Sequence, residues 1–508
     1  MPAPPRSTRA AKPETEREVK MEVAPQFSLP DLGGVTEGLT ASEPRHKRMH
    51  TVYWDTRDLR LARWGCSLRH REGEGWTVKL PGSVEGRLLV RGEHTFPGAA
   101  KLPAAEAVDL VRAYLRSAAL EPVATLRTHR VAVDLRDAEG AAVAEVVDDE
   151  VSVLDGRRIA IRFRQLEIEV GESASAELVE AVVGRLREAG AGEPDPTPKH
   201  VRALGPRATA APELAVADAG PPRSAAEVVR AALASSVVRL LRHDVGVRLG
   251  GDSEEVHQAR VATRRLRSDM RTFGRLLDEP WADSLRDELG WLADLLGAVR
   301  DTDVLLERTR ARVAELGEEG QRLRPLLRRL AEERGEARAR LLAAMRDGRY
   351  VALLDRLVAA AQAPAFVADA GELTIEELPA MAARPWRRLR DAVRRLGTKP
   401  TEEELHTVRI AAKRCRYAAE ALIPAIGADA RRFAGAVAGL QGVLGDHHDA
   451  VVAGAWLRRV APELSAASAF VAGRVSVREE RLAAESAGSW RAAWKKLDRR
   501  RLTGWMAG

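Results

Sequence analysis

At 508 residues the chain is long for one hydrophobic core, so two or three domains are expected, and its 45% hydrophobic content is ample for globular packing. The formal net charge of +7 favours anionic partners, namely polyphosphate, nucleotides, nucleic acid or acidic lipid, without choosing among them. Cys66 and Cys415 stand too far apart for a disulfide framework or a zinc spacing. No apolar run approaches the ~20 residues that span a bilayer. Residues 1–13 carry no apolar segment of secretory type and read as a disordered tail, so a cytoplasmic protein is expected.

The first element is Glu16-Arg17-Glu18-Val19-Lys20. Read as a strand, it points Glu16, Glu18 and Lys20 to one face, because side chains alternate with period two. Two carboxylates and an ammonium suit a polyanion held through a divalent cation. The carboxylates are hard oxygen ligands for Mg²⁺ or Mn²⁺, and the lysine contacts phosphate. Taken alone, the same stretch also fits a solvated strand face.

Short strands with turn punctuation continue to about Gly205. Val52–Thr56 ends a strand. Cys66–Arg71 and Trp76–Leu80 form a hairpin that sets Arg69, Arg71 and Lys79 on a common face. Leu89–Glu93 continues the sheet, and Ala104–Leu115 has helical spacing. Three more strands follow, Ala124–Leu135, Val143–Val153 and Ile159–Val170. In the last, Glu167 and Glu169 face one way and aliphatic residues the other. Glu145 and Asp149 share a face, and Asp148 points oppositely if that strand is regular. An open sheet would make these charges a wet outer face. A closed barrel would make them a polar lumen.

The opening Glu16-x-Glu18-x-Lys20, Tyr53-Trp54-Asp55-Thr56, Ser67-Leu68-Arg69-His70-Arg71, Trp76-Thr77-Val78-Lys79-Leu80 and Glu167-x-Glu169 occur in the order of the CYTH family, which this half resembles over residues 14–205. The resemblance implies an antiparallel eight-stranded β tunnel that acts on triphosphates with Mg²⁺ or Mn²⁺. It implies metal ligation by Glu16, Glu18, Glu167 and Glu169, helped by an acid from Glu145 to Asp149, with Asp148 and Asp149 as candidates. It makes Glu16, Glu18 and Lys20 the catalytic set. Arg69, Arg71, Lys79, Arg91, Arg127, Arg130 and Lys199 would bind phosphate. Lys199 corresponds to the lysine of the family's closing helix. Phosphoryl transfer agrees with such a site, since it needs charge neutralisation and in-line positioning more than covalent catalysis.

Residues 206–222 are rich in Ala and Pro and read as a linker. From 223 to 508 the pattern is helical, with breaks near Gly250, Pro280, Gly348, Gly397, Pro424–Gly427 and Gly445. Residues 256–267 repeat at 405–416, each copy preceded by a cap box, Asp252 with Glu255 and Thr401 with Glu404. A looser match joins 296–303 to 442–449. The fold class is therefore α+β multidomain: the tunnel barrel, then an all-α bundle with an internal repeat.

On a helical wheel His257, Arg260, Arg264, Arg267 and Arg271 lie within about an 80° stripe. His406, Arg409, Lys413 and Arg416 form its counterpart. Like charges at this spacing repel, and an anionic ligand would offset the cost. The alternative is an ion-pair network with Asp301, Asp303, Asp446 and Asp449. A structural metal at His447-His448-Asp449 is a weaker reading, because adjacent helical side chains diverge. The paired His-x-x-Arg-x-x-x-Arg/Lys segments resemble the CHAD family over residues 224–502. This implies polyphosphate binding by His257, Arg260, Arg264, Arg267, His406, Arg409, Lys413 and Arg416. Glu420, which replaces the first copy's Arg271, shortens the second stripe.

The expected function is metal-dependent hydrolysis of inorganic triphosphate or a related triphosphate, with polyphosphate held by the helical domain. A non-catalytic polyphosphate-binding protein is the alternative. Nucleic acid is disfavoured, since aromatics are only 4% and stacking platforms are scarce.

Overall fold

The computed structural model describes residues 14–214, 222–368 and 374–506. The tail expected over 1–13 lies outside them. The chain divides into two compact units, Met1–Glu213 and Leu214–Gly508.

Among the described residues ten strands build the first unit. They are β1 (Glu14–Val23), β2 (Thr40–Ala41), β3 (Arg45–Asp55), β4 (Ser67–Arg71) and β5 (Gly75–Lys79), then β6 (Ser83–Glu85), β7 (Leu88–Phe96), β8 (Glu121–Arg136), β9 (Ala142–Asp155) and β10 (Arg158–Val170). Eight of them close into an antiparallel barrel in the order β1, β10, β9, β8, β3, β4, β5, β7 and back to β1. β2 adds to β8, and β6 to β7. Five helices accompany the sheet: α1 (Arg60–Arg63), α2 (Ala105–Leu110), α3 (Arg112–Leu115), α4 (Ala176–Glu188) and α5 (Lys199–Leu204). The helix expected over 104–115 thus divides at Val111 into α2 and α3.

A large part of this unit's core lies outside the barrel. Val19 and Met21 alternate with Glu18 and Lys20, so one face of β1 is apolar and the other charged. Val146 of β9 and Leu166 and Ile168 of β10 join Val19 and Met21 beneath α4, which buries Leu178, Val179, Val182, Val183 and Leu186. Each such side chain contributes about 1.5–3 kcal/mol on burial. That packing holds the apolar face out and the charged face in. Ser175 caps α4 by accepting from the Leu178 N–H at 3.2 Å.

The stretch 206–213, expected as linker, is fastened to the first unit. Arg207 donates to the Arg57 carbonyl at 2.9 Å, and Arg63 to the Ala211 carbonyl at 2.8 Å. Glu213 accepts from Trp64 at 3.1 Å and from Arg116 at 2.6 Å. Ala and Pro carry no such signal, because the anchoring donors lie about 100–150 positions earlier in the sequence.

Eleven α-helices form the second unit among the described residues: α6 (Ala225–Leu249), α7 (Ser253–Thr272), α8 (Glu279–Glu315), α9 (Arg324–Arg346), α10 (Gly348–Gln362), α11 (Pro379–Arg394), α12 (Glu402–Ala421), α13 (Ile423–Ile426), α14 (Ala428–Val460), α15 (Ala466–Leu497) and α16 (Arg500–Thr503). The repeat appears as two runs of packed neighbours. α6, α7, α8 and α9 pack in succession, and α11, α12, α14 and α15 do the same. α7 also packs on α12.

The break expected at Gly445 is absent, because α14 runs through it. Glycine inside a helix costs only about 1 kcal/mol, and buried Leu440, Leu444 and Ala450 offset it. The second cap box forms as read, with Thr401 and Glu404 bonding reciprocally. In the first, Asp252 caps the Glu254 N–H at 2.8 Å, while Glu255 turns to His243 Nδ1 at 2.8 Å. No helix among the described residues is long and apolar enough to cross a membrane.

Candidate functional site

Strand register assembles the tunnel. Glu16 lies opposite Arg91 on β7, and Lys20 opposite Glu167 on β10. Arg130 lies opposite Asp149, and Lys79 opposite Glu93. Cross-strand neighbours stand close enough to interact directly, so each pair becomes an ion pair. Arg91 reaches Glu16 at 2.9 Å and Glu18 at 2.7 Å. Arg130 forks onto Asp149 at 2.9 and 2.7 Å. Lys20 bonds both Glu18 and Glu167, and Lys79 bonds Glu16 and, at 2.8 Å, Glu93. The cavity is about 460 Å³, and its lining includes Arg69, Arg71, Glu169 and Lys199.

Glu18 is fully buried behind that lining. Burial alone would lift the Glu16 carboxyl, but Lys79, Arg91 and Lys20 outweigh it and hold it at about 2. Glu167 is likewise held well below the usual carboxylate range by Lys199, Lys20 and Arg130, against the effect of burial. Glu169 differs. Burial and the neighbouring Glu167 and Glu16 push it up to about 7, against Arg130 and Lys79.

α5 closes one part of the tunnel. Its first residue, Lys199, reaches Asp149 at 2.9 Å and also Glu167. His200 stacks on Tyr53, with ring centroids 5.1 Å apart. Burial, then Arg91 and Arg69, lower the His200 imidazole to about 3, so it is neutral at physiological pH.

Two expected residues stand outside the tunnel. Arg127 is three positions from Arg130, an odd offset, so it lies on the barrel's outer face and is exposed. Asp148 is the odd neighbour of Asp149 and forks with Arg164 at 2.9 and 2.7 Å on the face away from the lumen. The acid between Glu145 and Asp149 that meets the phosphate-side cations is Asp149. Glu145 lines the cavity too, paired with Arg45 at 2.6 Å. Glu93 is a site residue the sequence reading passed over. It meets Lys79 and, at 3.5 Å, Arg69. Its place two positions after Arg91 was the available signal.

The donor set is all hard oxygen, which fits Mg²⁺ or Mn²⁺. Glu169 marks an acidic surplus that a bound cation would relieve. Among the described residues no three or more such side chains stand as a ready cage, since lysines and arginines hold most of these carboxylates. Glu16, Glu18, Glu167 and Glu169 are the residues that would hold the metal.

In the second unit the two stripes meet. Arg260 and Arg267 of α7 lie over Gly297 and Gly290 of α8, where an added Cβ would stand 3.6 Å from each side chain. Lys413 of α12 is pushed down to about 7 by burial, then by Arg409, Arg264 and Arg260. His406 meets His448 of α14, with ring centroids 5.0 Å apart. Burial, then Arg409, His406 and Lys413, lower His448 to about 4. His257 faces Arg300 of α8, and burial with that charge lowers it.

The ion-pair alternative fails for most of these cations. Arg260 meets Asp301 at 3.3 Å. Asp303 is taken by Arg334. Among the described residues Arg264, Arg267, Arg409 and Lys413 form no ion pair. Arg416 is engaged, bonded to Glu420 at 2.8 Å and to Gln441 at 3.3 Å. His447 turns its Nδ1 to the Ala483 carbonyl at 2.9 Å, away from His448.

Residues 14–199 match the CYTH domain, and residues 231–458 match the CHAD domain. A protein of Mycobacterium tuberculosis (strain ATCC 25618 / H37Rv), named Uncharacterized protein Rv2226, is 32% identical over 517 residues, with 95% of this chain and 96% of that protein covered. Among solved structures, PptA from Streptomyces chartreusis aligns at 23% identity and TM-score 0.47, covering 54% of this chain and 100% of its own. The CHAD domain from the plant Ricinus communis aligns at 25% identity and TM-score 0.45, covering 56% of this chain and 95% of its own. With a near full-length relative and both domain matches in this order, the chain belongs to the family in which a CYTH triphosphate tunnel domain is followed by a CHAD domain.

Proposed function

We propose that the tunnel hydrolyses inorganic triphosphate with Mg²⁺ or Mn²⁺, while the α7/α12 cleft holds inorganic polyphosphate. The observation that carries the reading is the alternation of carboxylates and cations around one closed lumen. Lys20, Arg69, Arg71, Lys79, Arg91, Arg130 and Lys199 are fixed by strands or by α5. They offer a phosphate chain donors that are already oriented and partly desolvated. An entering triphosphate exchanges their internal carboxylate partners for phosphate oxygens. The freed Glu16, Glu18, Glu167 and Glu169 would hold the metal, which neutralises charge on the transferring phosphoryl group. Few apolar side chains line the cavity, which supports an inorganic substrate over a nucleoside triphosphate.

Phosphate release by the full chain from inorganic and organic triphosphates, with Mg²⁺, Mn²⁺ or EDTA, tests this. Metal-dependent release, greatest from tripolyphosphate, is expected. Binding without turnover under every condition would replace it with the non-catalytic reading. Arg69→Ala with Arg71→Ala should raise KM by about tenfold or more and also lower kcat, because both cations contact substrate throughout the reaction. Wild-type kinetics in a folded double variant would remove both from the site.

The cleft reading carries a pH prediction. Only the charged form of Lys413 attracts phosphate, and its ammonium is half neutral at about pH 7. Affinity for polyphosphate should therefore rise roughly tenfold from pH 8 to pH 6 as the competent fraction grows. His448, already neutral above about 4, adds nothing in that window. Isothermal titration at several pH values checks it. Lys413→Arg should flatten the profile, and an unchanged profile in that variant would assign the dependence elsewhere.

A further inference from the structure

α11 carries a second basic face that neither stripe includes. Ala382, Trp386, Leu389 and Val393 are buried on one side. Arg384, Arg387, Arg388, Arg394 and Arg395 are exposed on the other. At 100° per residue these five, with Asp391, share about a 120° arc. Arginines one turn apart repel and weaken the helix. Among the described residues the one ion pair on this face is Arg394 with Asp391, at 4.0 Å.

A second group of cations joins it from the end of α15. Trp386 stacks on Trp494 with centroids 5.4 Å apart. Arg491 donates to the Gly397 and Thr398 carbonyls at 2.9 and 2.8 Å. These contacts fix the end of α15 against the middle of α11 and the segment that follows its C-terminus. Lys495 and Lys496 at the end of α15, and Arg500 and Arg501 of α16, are exposed just beyond these contacts. Among the described residues none of these four has an acidic partner.

We propose that this corner is a second binding surface for a linear inorganic polyphosphate chain, separate from the α7/α12 cleft. Trp386, Trp494 and Trp505 are engaged in ring contacts, so no platform remains for stacking bases. The large exposed hydrophobic side chains all lie elsewhere, so nothing here would wedge into a bilayer. What remains is a band of guanidinium and ammonium groups that recognises phosphate oxygens alone. α11 packs on α12 in the same unit, and contacts linked by one long chain reinforce each other. The proposal rests on the cleft being a polyphosphate site.

Four full-length proteins test it in EDTA, which prevents turnover: wild type, the cleft variant Arg264→Gln/Arg409→Gln, the corner variant Arg387→Gln/Arg388→Gln/Arg394→Gln/Arg395→Gln, and their combination. All four also carry Arg69→Ala/Arg71→Ala to weaken phosphate binding in the tunnel, and affinities are measured for a short polyphosphate that spans only the cleft and for a long one. The corner variant should keep wild-type affinity for the short chain. It should bind the long chain at least about tenfold more weakly. Its melting temperature should not fall, since the repulsion it removes outweighs the exposed Arg394–Asp391 pair it also loses. Wild-type affinity of the corner variant for the long chain overturns the proposal. Unchanged short-chain binding in the cleft variant instead overturns the cleft reading. If the corner of the wild type prefers duplex DNA to polyphosphate at matched phosphate concentration, the inorganic assignment is overturned in favour of nucleic acid.

Discussion

Glu16→Gln and Glu18→Gln should each slow tripolyphosphate turnover by at least ~100-fold at saturating Mg²⁺, because groups that hold a metal act mainly in the transition state. The substitution keeps the side-chain shape and removes one charge. For Glu16 that charge is present throughout the physiological range, since its carboxyl is held at about 2. Loss of the Glu16 charge leaves Lys79 without its acid on β1 and Arg91 with Glu18 alone of its two. Glu18 has a further role, because it is wholly buried and bonds both Lys20 and Arg91. Truncation to alanine there would leave buried cations uncompensated, at about 3–5 kcal/mol. Glutamine retains an acceptor and is the better probe. Steady-state rates, read beside a thermal melt, separate chemistry from folding. A folded Glu16→Gln/Glu18→Gln double variant with wild-type turnover would show that neither carboxylate serves the reaction.

Replacing Arg264 and Arg409 together by glutamine should weaken polyphosphate binding at low salt by about 100-fold or more. The two come from the two halves of the repeat, and Arg264 helps to lower the Arg409 pKa. Burial lowers both guanidinium pKa values, and neither has a carboxylate partner among the described residues. Unpaired, partly desolvated cations gain more from an incoming anion than solvated ones do. The log–log salt dependence of binding should also flatten, by roughly 0.7 per cation removed if the chain behaves like single-stranded nucleic acid. The domain should melt no lower than wild type, because no native ion pair is broken. Undiminished affinity, measured by titration at two salt concentrations, would mean that the phosphate chain runs elsewhere. A drop in melting temperature with no change in affinity would make the two arginines structural.

The sequence by itself determined the charged faces. Period-two alternation in β1 and β10 separates Glu16, Glu18, Lys20, Glu167 and Glu169 from Val19, Met21, Leu166 and Ile168. Period 3.6 in α7 and α12 likewise aligns each basic stripe. Both follow from local backbone geometry, which needs no knowledge of what packs on what. The sequence could not decide whether the strand face was a wet exterior or a lumen. Pairing of β1 with both β7 and β10 decides that, across about 70 and 150 positions of chain. Register then selects Asp149 over Asp148 and Arg130 over Arg127, because a shift of one position reverses the face. Glu93 became a site residue only when β5 and β7 set it opposite Lys79. The same holds in the helical half. A wheel shows that a stripe is basic, but the packing of α7 on α12 brings the two repelling stripes together, and among the described residues Arg264, Arg267, Arg409 and Lys413 are left without an ion pair. On α11 the wheel alone would have revealed the arginine face. The end of α15 reaches α11 only in the fold, through the stacking of Trp386 on Trp494 and the Arg491 bonds to Gly397 and Thr398.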